Sequence, residues 1–280
     1  MPIVNRIKGG ARYSELVSTI LSHSPTTTGE VCEQSINLAA RLLAMVEIGR
    51  SKSELFAERV LSWTEGTLQD FLSDHFGTLP VLKDDLVRLP KSFDAWSLQA
   101  VGGIDIGFTD NLADHLLLIE DDMKVLIYHH ASFLKHQKNG VLPDGIAEET
   151  LNTLALLFPQ SEFASPFRTK KRKRQWYQAL RMGSTILVDE QLARCGNLRA
   201  DSRQIERFKF WHDRLVVLKR AYDEATPRSI SQWWYDRRNG VQWYTFWVAI
   251  LVLMITTSLG VLQCVESALQ VYKAYYPSGP

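Results

Sequence analysis

The longest apolar run lies near the carboxyl end, where residues 239–265 carry no Asp, Glu, Lys or Arg and 243–262 is the densest part. At about 1.5 Å rise per residue such a run makes a helix of roughly 30 Å, the thickness of bilayer hydrocarbon. The pattern predicts a single transmembrane helix over 243–263, between a juxtamembrane segment at 229–242 and a short amphipathic tail at 264–280. In that tail Val265, Leu269 and Tyr272 form an apolar stripe while Glu266, Gln270 and Lys273 supply polarity, which predicts a short interfacial helix.

Ahead of the span the hydrophobic spacing is mostly helical. Thr27 with Glu30 has the form of a capping box, and Val31, Ile36, Leu38, Ala39, Leu42, Leu43 and Val46 follow, up to Gly49. A second pattern over 53–76 holds Leu55, Phe56, Val60, Trp63, Leu68, Phe71 and Leu72 and closes at Gly77 and Pro80. Together they predict a helical hairpin. The chain then changes character: residues 104–108 are β-like, Thr109 is placed to cap a short helix through Leu112, and "LLLI" and "KVLIY" flank the acidic turn "EDDM". This predicts a small antiparallel β-hairpin within about 104–130. Ile146, Leu151, Leu154, Ala155 and Phe158 share a helical stripe that stops at Pro159, and 160–169 has the Ser and Pro content of a linker. Beyond it Trp176, Leu180, Gly183 and Leu187 form one stripe, and Ile205, Phe208, Leu215, Leu218 and Tyr222 another over 204–225. The expected fold class is mainly α: a helical domain with a small β-hairpin over 1–165, a helical pair with a basic run over 166–228, then a single C-terminal transmembrane helix.

The flanks of the span agree with its length. Trp233, Trp234, Trp243, Tyr244 and Trp247 crowd one edge and Tyr272, Tyr275 and Tyr276 follow the other, as amphipathic rings do at membrane interfaces. Arg228, Arg237 and Arg238 precede the span against Lys273 after it, so the positive-inside bias puts the amino-terminal part in the cytosol. The amino terminus has no continuous apolar stretch of the signal-peptide kind, which predicts a tail-anchored protein inserted after synthesis. A buried helix of a large soluble core is also apolar all round, but seldom carries an aromatic cluster and a double Arg together.

Composition changes the picture little. The chain is 45% hydrophobic, enough for a real core, and its net charge of +1 gives no general pull toward nucleic acid. Cys32, Cys195 and Cys264 are far apart and odd in number, which argues against a disulfide framework or a structural zinc site.

Reaction motifs are missing. His115, His129, His130 and His136 lie in one region with Asp110, Asp114 and the acids at 120–122, but no HExxH-like spacing fixes two ligands on one element. On a strand His129 and His130 would point to opposite faces, so at most one would join any cluster. Asp114 and His115 diverge by about 100° on a helix, and no GxSxG, GxGxxG or GxxxxGK[ST] pattern is present. These readings predict no catalytic residue, no metal and no cofactor. The run of Lys170, Lys171, Arg172, Lys173 and Arg174 reads as a solvated linker or helix start, with contact to anionic lipid as the first functional alternative and nuclear import or nucleic-acid contact as a minor one. Thr256, Gly260, Cys264 and Ala268 recur every fourth residue, a stripe of small side chains along which a second copy or a helical partner can approach.

"WWYDRRNGVQWYTFWVAILVL", with "FTDNLADHLLL" and "EETLNTLALLFP", resembles a group of uncharacterised proteins from filamentous fungi that end in such a Trp-rich membrane segment. The resemblance covers roughly residues 100–276 and implies a fungal source and membrane attachment, with no activity to carry over. Two main function classes follow: a non-enzymatic, membrane-tethered interaction or scaffold protein, preferred because reaction motifs are missing, and a membrane-anchored enzyme with a His-containing site within 110–136; a nuclear-envelope protein using the basic run is a lesser third.

Overall fold

The computed structural model describes residues 2–24, 28–49, 60–77, 79–82, 88–137, 140–164, 171–226 and 240–276. The chain divides into two compact units, 1–226 and 227–280, so both sides of the expected boundary near 165 belong to one unit. The fold class is mainly α with a small three-stranded sheet and a long C-terminal apolar helix.

The first unit begins with α1 (Pro2–Lys8), α2 (Tyr13–His23) and α3 (Gly29–Ala44), which pack on one another. Cys32, Ile36, Ala39, Ala40 and Ala44 line the buried face of α3, whereas Val31, Leu38 and Leu42 of the same expected stripe are exposed. The N-cap is Thr28; Thr27, the expected capping residue, lies outside the described residues. The expected helix over 53–76 is only its last part, α4 (Leu68–Phe76), with 50–59 outside the described residues. Residues 60–67 are not helical, because Leu61 forms a parallel bridge with Ile48, Gly66 takes a left-handed φ of 71°, and the Thr67 side chain caps Asp70 N at 3.1 Å. Trp63 is buried there from an irregular backbone, which imitates helical spacing in sequence.

After α5 (Ala95–Ala100) come β1 (Asp105–Thr109), β2 (Leu117–Ile119) and β3 (Lys124–Tyr128), in the order β1-β3-β2. The expected hairpin is present: β2 pairs antiparallel with β3, and Glu120, Asp121 and Asp122 between them have φ of 56°, 53° and 63°. The additional strand β1 lies parallel to β3, in the register Thr109↔Tyr128. Between β1 and β2 a 3-10 turn at Leu112–Asp114 is capped by Asn111, not by Thr109; the Asn111 Oδ1 accepts from Ala113 N at 3.2 Å and from Glu47 N at 3.1 Å.

The sheet is followed by α6 (Ala131–Lys135), α7 (Ile146–Leu157), α8 (Gln160–Phe163), α9 (Lys171–Gly183) and α10 (His212–Glu224). The stretch expected to be a linker contains α8, whose Phe163 is buried against Phe158 and Tyr177. On α9 Tyr177 is the buried residue, and Leu187, expected on that stripe, lies beyond the helix and almost fully exposed. The helix expected over 204–225 breaks into a 3-10 turn at Ile205–Arg207 and α10. The break has a cause: the Glu149 carboxylate of α7 accepts from the amides of Lys209, Phe210 and Trp211 at 2.8, 2.8 and 2.9 Å. It thereby satisfies donors around the start of α10 that no helical carbonyl can reach.

His115 sits in the same core, fully buried. Its Nδ1 accepts from Tyr128 N at 3.1 Å, which leaves Nε2–H to donate to Thr153 Oγ1 at 2.6 Å, while Trp211 packs edge-on at 4.8 Å. Burial first, and then the Arg214 guanidinium, hold this imidazole neutral by lowering its pKa well below the ordinary value.

The second unit contains α11 (Gly240–Tyr275), a helix of 36 residues. Its apolar stretch is long enough to cross a membrane, with a mean hydropathy of 2.3 and no burial. At about 1.5 Å per residue the whole helix is roughly 54 Å long, more than a bilayer core requires. It therefore runs unbroken through the stretch expected to form a separate amphipathic tail, since no Gly or Pro interrupts it between Gly260 and Tyr275.

Candidate functional site

Parallel pairing brings the site together. Because Thr109 and Tyr128 are partners at the ends of β1 and β3, the next residues, Asp110 and His129, leave the sheet side by side. The carboxyl ends of parallel strands are where open sheets commonly hold ligands. β3 has ended at Tyr128, and His130 is already the N-cap of α6, so strand alternation does not apply to the two histidines. This corrects the expectation that at most one could join a cluster: His129 Nε2 and His130 Nε2 lie 2.9 and 2.8 Å from the same Asp110 Oδ1. Their rings are stacked, with centroids 3.9 Å apart and planes at 35°.

The environments of the three differ. The His129 side chain is 1% exposed, that of His130 29% and that of Asp110 62%. His129 Nδ1 accepts from Asp189 N at 3.2 Å, which sets the Nε2–H tautomer and makes Asp110 its acceptor. Asp189 is itself fixed: its carboxylate accepts from Ser132 N at 2.6 Å, Ser132 Oγ at 3.0 Å and Gln191 N at 2.8 Å. Burial lowers the His129 pKa, and His130 adds to this, while Asp110 works against it. For Asp110 partial burial favours the neutral acid, but the donors from His130 and His129 outweigh it and hold the carboxyl below its usual range. The Tyr128 hydroxyl is buried and makes no hydrogen bond among the described residues; burial, then Asp110 and Asp189, push its pKa up.

Asp110 also lines a groove of about 530 Å³ between α3 and the end of β1, together with Leu42, Met45, Phe108, Asp114 and Ile186. The other candidate histidines serve elsewhere. His115 is committed to the core, so no Asp114–His115 pair forms through its ring nitrogens, and His136 Nδ1 lies 2.7 Å from Ser132 O.

Of the basic run, Lys170 lies outside the described residues, and Lys171 and Arg172 are exposed on the first turn of α9. Lys173 turns inward instead, pairing with the fully buried Asp94 and with Glu162, and its ammonium stands 5.4 Å from the Trp96 ring centroid. Arg174 is half-buried. Of the expected interface residues, Trp233, Trp234, Arg237 and Arg238 lie outside the described residues, while Trp243, Tyr244 and Trp247 form an aromatic cluster on the first turns of α11. Thr256, Gly260, Cys264 and Ala268 fall along one side of α11, and the Thr256 hydroxyl already donates within its own helix, to Val252 O and Leu253 O at 3.0 Å.

Sequence reasoning missed the roles of Asp189 and Glu149, since both act across long sequence separations without any local motif. No family model, curated protein or solved structure matches the chain.

Proposed function

We propose that this chain is a tail-anchored, single-pass membrane protein that holds residues 1–226 in the cytosol as an interaction or scaffold domain. The observation that carries the reading is α11: an apolar helix of membrane-spanning length with no residue of its apolar stretch buried and an aromatic cluster at its start. The cytosolic orientation rests on Arg228, Arg237 and Arg238 preceding the span. Membrane lipids are then direct partners, and the small-residue side of α11 suits a second copy or another helix. An interaction role draws support from Val31, Leu38 and Leu42, each more than half exposed on α3, the last two lining the groove. A membrane-anchored enzyme is the second reading, favoured by the convergence of Asp110, His129 and His130.

The full chain is expected to resist carbonate extraction from membranes, while a chain ending at Arg228 is soluble and folded. Extraction of the full chain together with peripheral proteins overturns the anchor. Protease added to intact organelles is expected to digest the amino-terminal domain; its protection would reverse the orientation.

A further inference from the structure

We propose that Asp110, His129 and His130 form a binding centre for a divalent first-row transition metal of the zinc type, open to solvent on the Asp110 side. The proposal deepens the enzyme reading and is independent of membrane attachment, which the extraction assay reads separately.

The geometry is that of a ligand set around a point. One ligand atom from each residue lies within 4.8 Å of the others, and the two Nε2–Oδ1 separations are 2.9 and 2.8 Å. A metal about 2.0–2.1 Å from each donor places neighbouring donors about 2.9 Å apart at right angles and about 3.3 Å apart at tetrahedral angles. The two Nε2–Oδ1 separations lie within about 0.5 Å of these values, and because both imidazoles aim at Oδ1, the exposed Asp110 carboxylate is the ligand that must draw back to admit the ion. Two imidazoles and one carboxylate are a donor set suited to zinc, or to iron with open positions.

The two hydrogen bonds that converge on Asp110 Oδ1 are the metal-free form of the same arrangement. Metal at His129 Nε2 requires the proton to move to Nδ1, where it faces the Asp189 amide and that amide loses its acceptor. An amide left in this way costs about 1–3 kcal/mol, and because two N–H groups would then face each other across 3.2 Å, the Asp189 amide must also turn aside for His129 to bind. Structural zinc sites bind with apparent free energies of about 10–16 kcal/mol, so the penalty weakens the centre without forbidding it. His130 carries no such penalty, because no described residue donates to its Nδ1.

Three protein ligands leave a coordination position for water. Asp110 is exposed and also lines the groove, so the centre and the groove share this residue.

The test uses the full chain in detergent, stripped with a chelator and titrated with Co(II), whose visible ligand-field bands report the donor set, followed by displacement with Zn(II). Wild type is expected to take up one Co(II) per chain, displaced by Zn(II). Asp110→Asn, at an exposed carboxylate that can be changed without opening the core, and His130→Gln are each expected to weaken binding by roughly 100-fold or more, since loss of outer-shell partners alone costs about 10–100-fold. Circular dichroism and melting confirm that both variants are folded. Absence of one-to-one binding in wild type overturns the proposal, as does binding that both folded variants retain unchanged.

Discussion

Replacing Glu149 with Ala removes the acceptor on which the start of α10 is built. The carboxylate takes the amides of Lys209 and Phe210 at 2.8 Å and of Trp211 at 2.9 Å, and is itself buried. Each orphaned buried donor costs about 1–3 kcal/mol, but water reaches part of this turn, so Glu149→Ala is expected to cost about 3–5 kcal/mol. Glu149→Gln separates shape from acceptor count. Oε1 serves Phe210 and Trp211 while Oε2 serves Lys209, so the amide oxygen keeps at most two partners and its NH2 confronts the third donor. One lost bond to a charged acceptor costs about 1.5–3 kcal/mol. In a unit of this size each kcal/mol moves Tm by about 2–4 °C. Melting of the full chain in detergent, followed by near-UV circular dichroism of the buried Trp211, should therefore rank wild type above Gln and Gln above Ala. An Ala variant melting within about 1 °C of wild type, or a Gln variant no more stable than Ala, would refute the assignment of this carboxylate as the organising acceptor.

Burial and the Arg214 charge depress the folded His115 pKa, so below its ordinary value of 6.5 the unfolded chain takes up a proton that the folded one refuses. Its contribution to stability is complete above that pH and is lost as pH falls below it; the urea midpoint is expected to drop on acidification, and a midpoint that rises through this range contradicts the buried neutral imidazole. Lys173→Met strands the buried Asp94 carboxylate and is expected to cost about 3–5 kcal/mol in urea unfolding, whereas Lys171→Met, at an exposed position, stays within about 0.5 kcal/mol. Equal effects of the two changes would show that the basic run acts as one solvated face.

What the sequence made legible was local. The β2–β3 hairpin could be read because two apolar runs flank a four-residue polar turn, and α11 because apolar length is itself the physical requirement for a span. Where periodicity was the only signal, it misled. Residues 60–67 carry helical spacing yet bury Trp63 from an irregular segment, and 204–225 is split by a carboxylate some sixty residues upstream. Polar acceptors were decisive at both places: Thr67 marks the true start of α4, and Glu149 holds the three amides just ahead of α10.

The Asp110–His129–His130 site was hidden for a related reason. Alternation along a strand would separate two adjacent histidines, but the strand ends one residue earlier, and the end of β3 is defined by its parallel pairing with β1. That pairing places Asp110 and His129 together although they are 19 residues apart, and no turn signal announces it, because parallel strands are joined by crossovers and not by hairpins. The half-buried scaffold that orients the site, from the Asp189 amide on His129 to the Asp189 carboxylate on Ser132, is likewise long-range. It follows that the Asp110–His129–His130 cluster lies where two non-local contacts meet at a strand end, while a helix long and apolar enough to cross a membrane can be recognised without any tertiary contact.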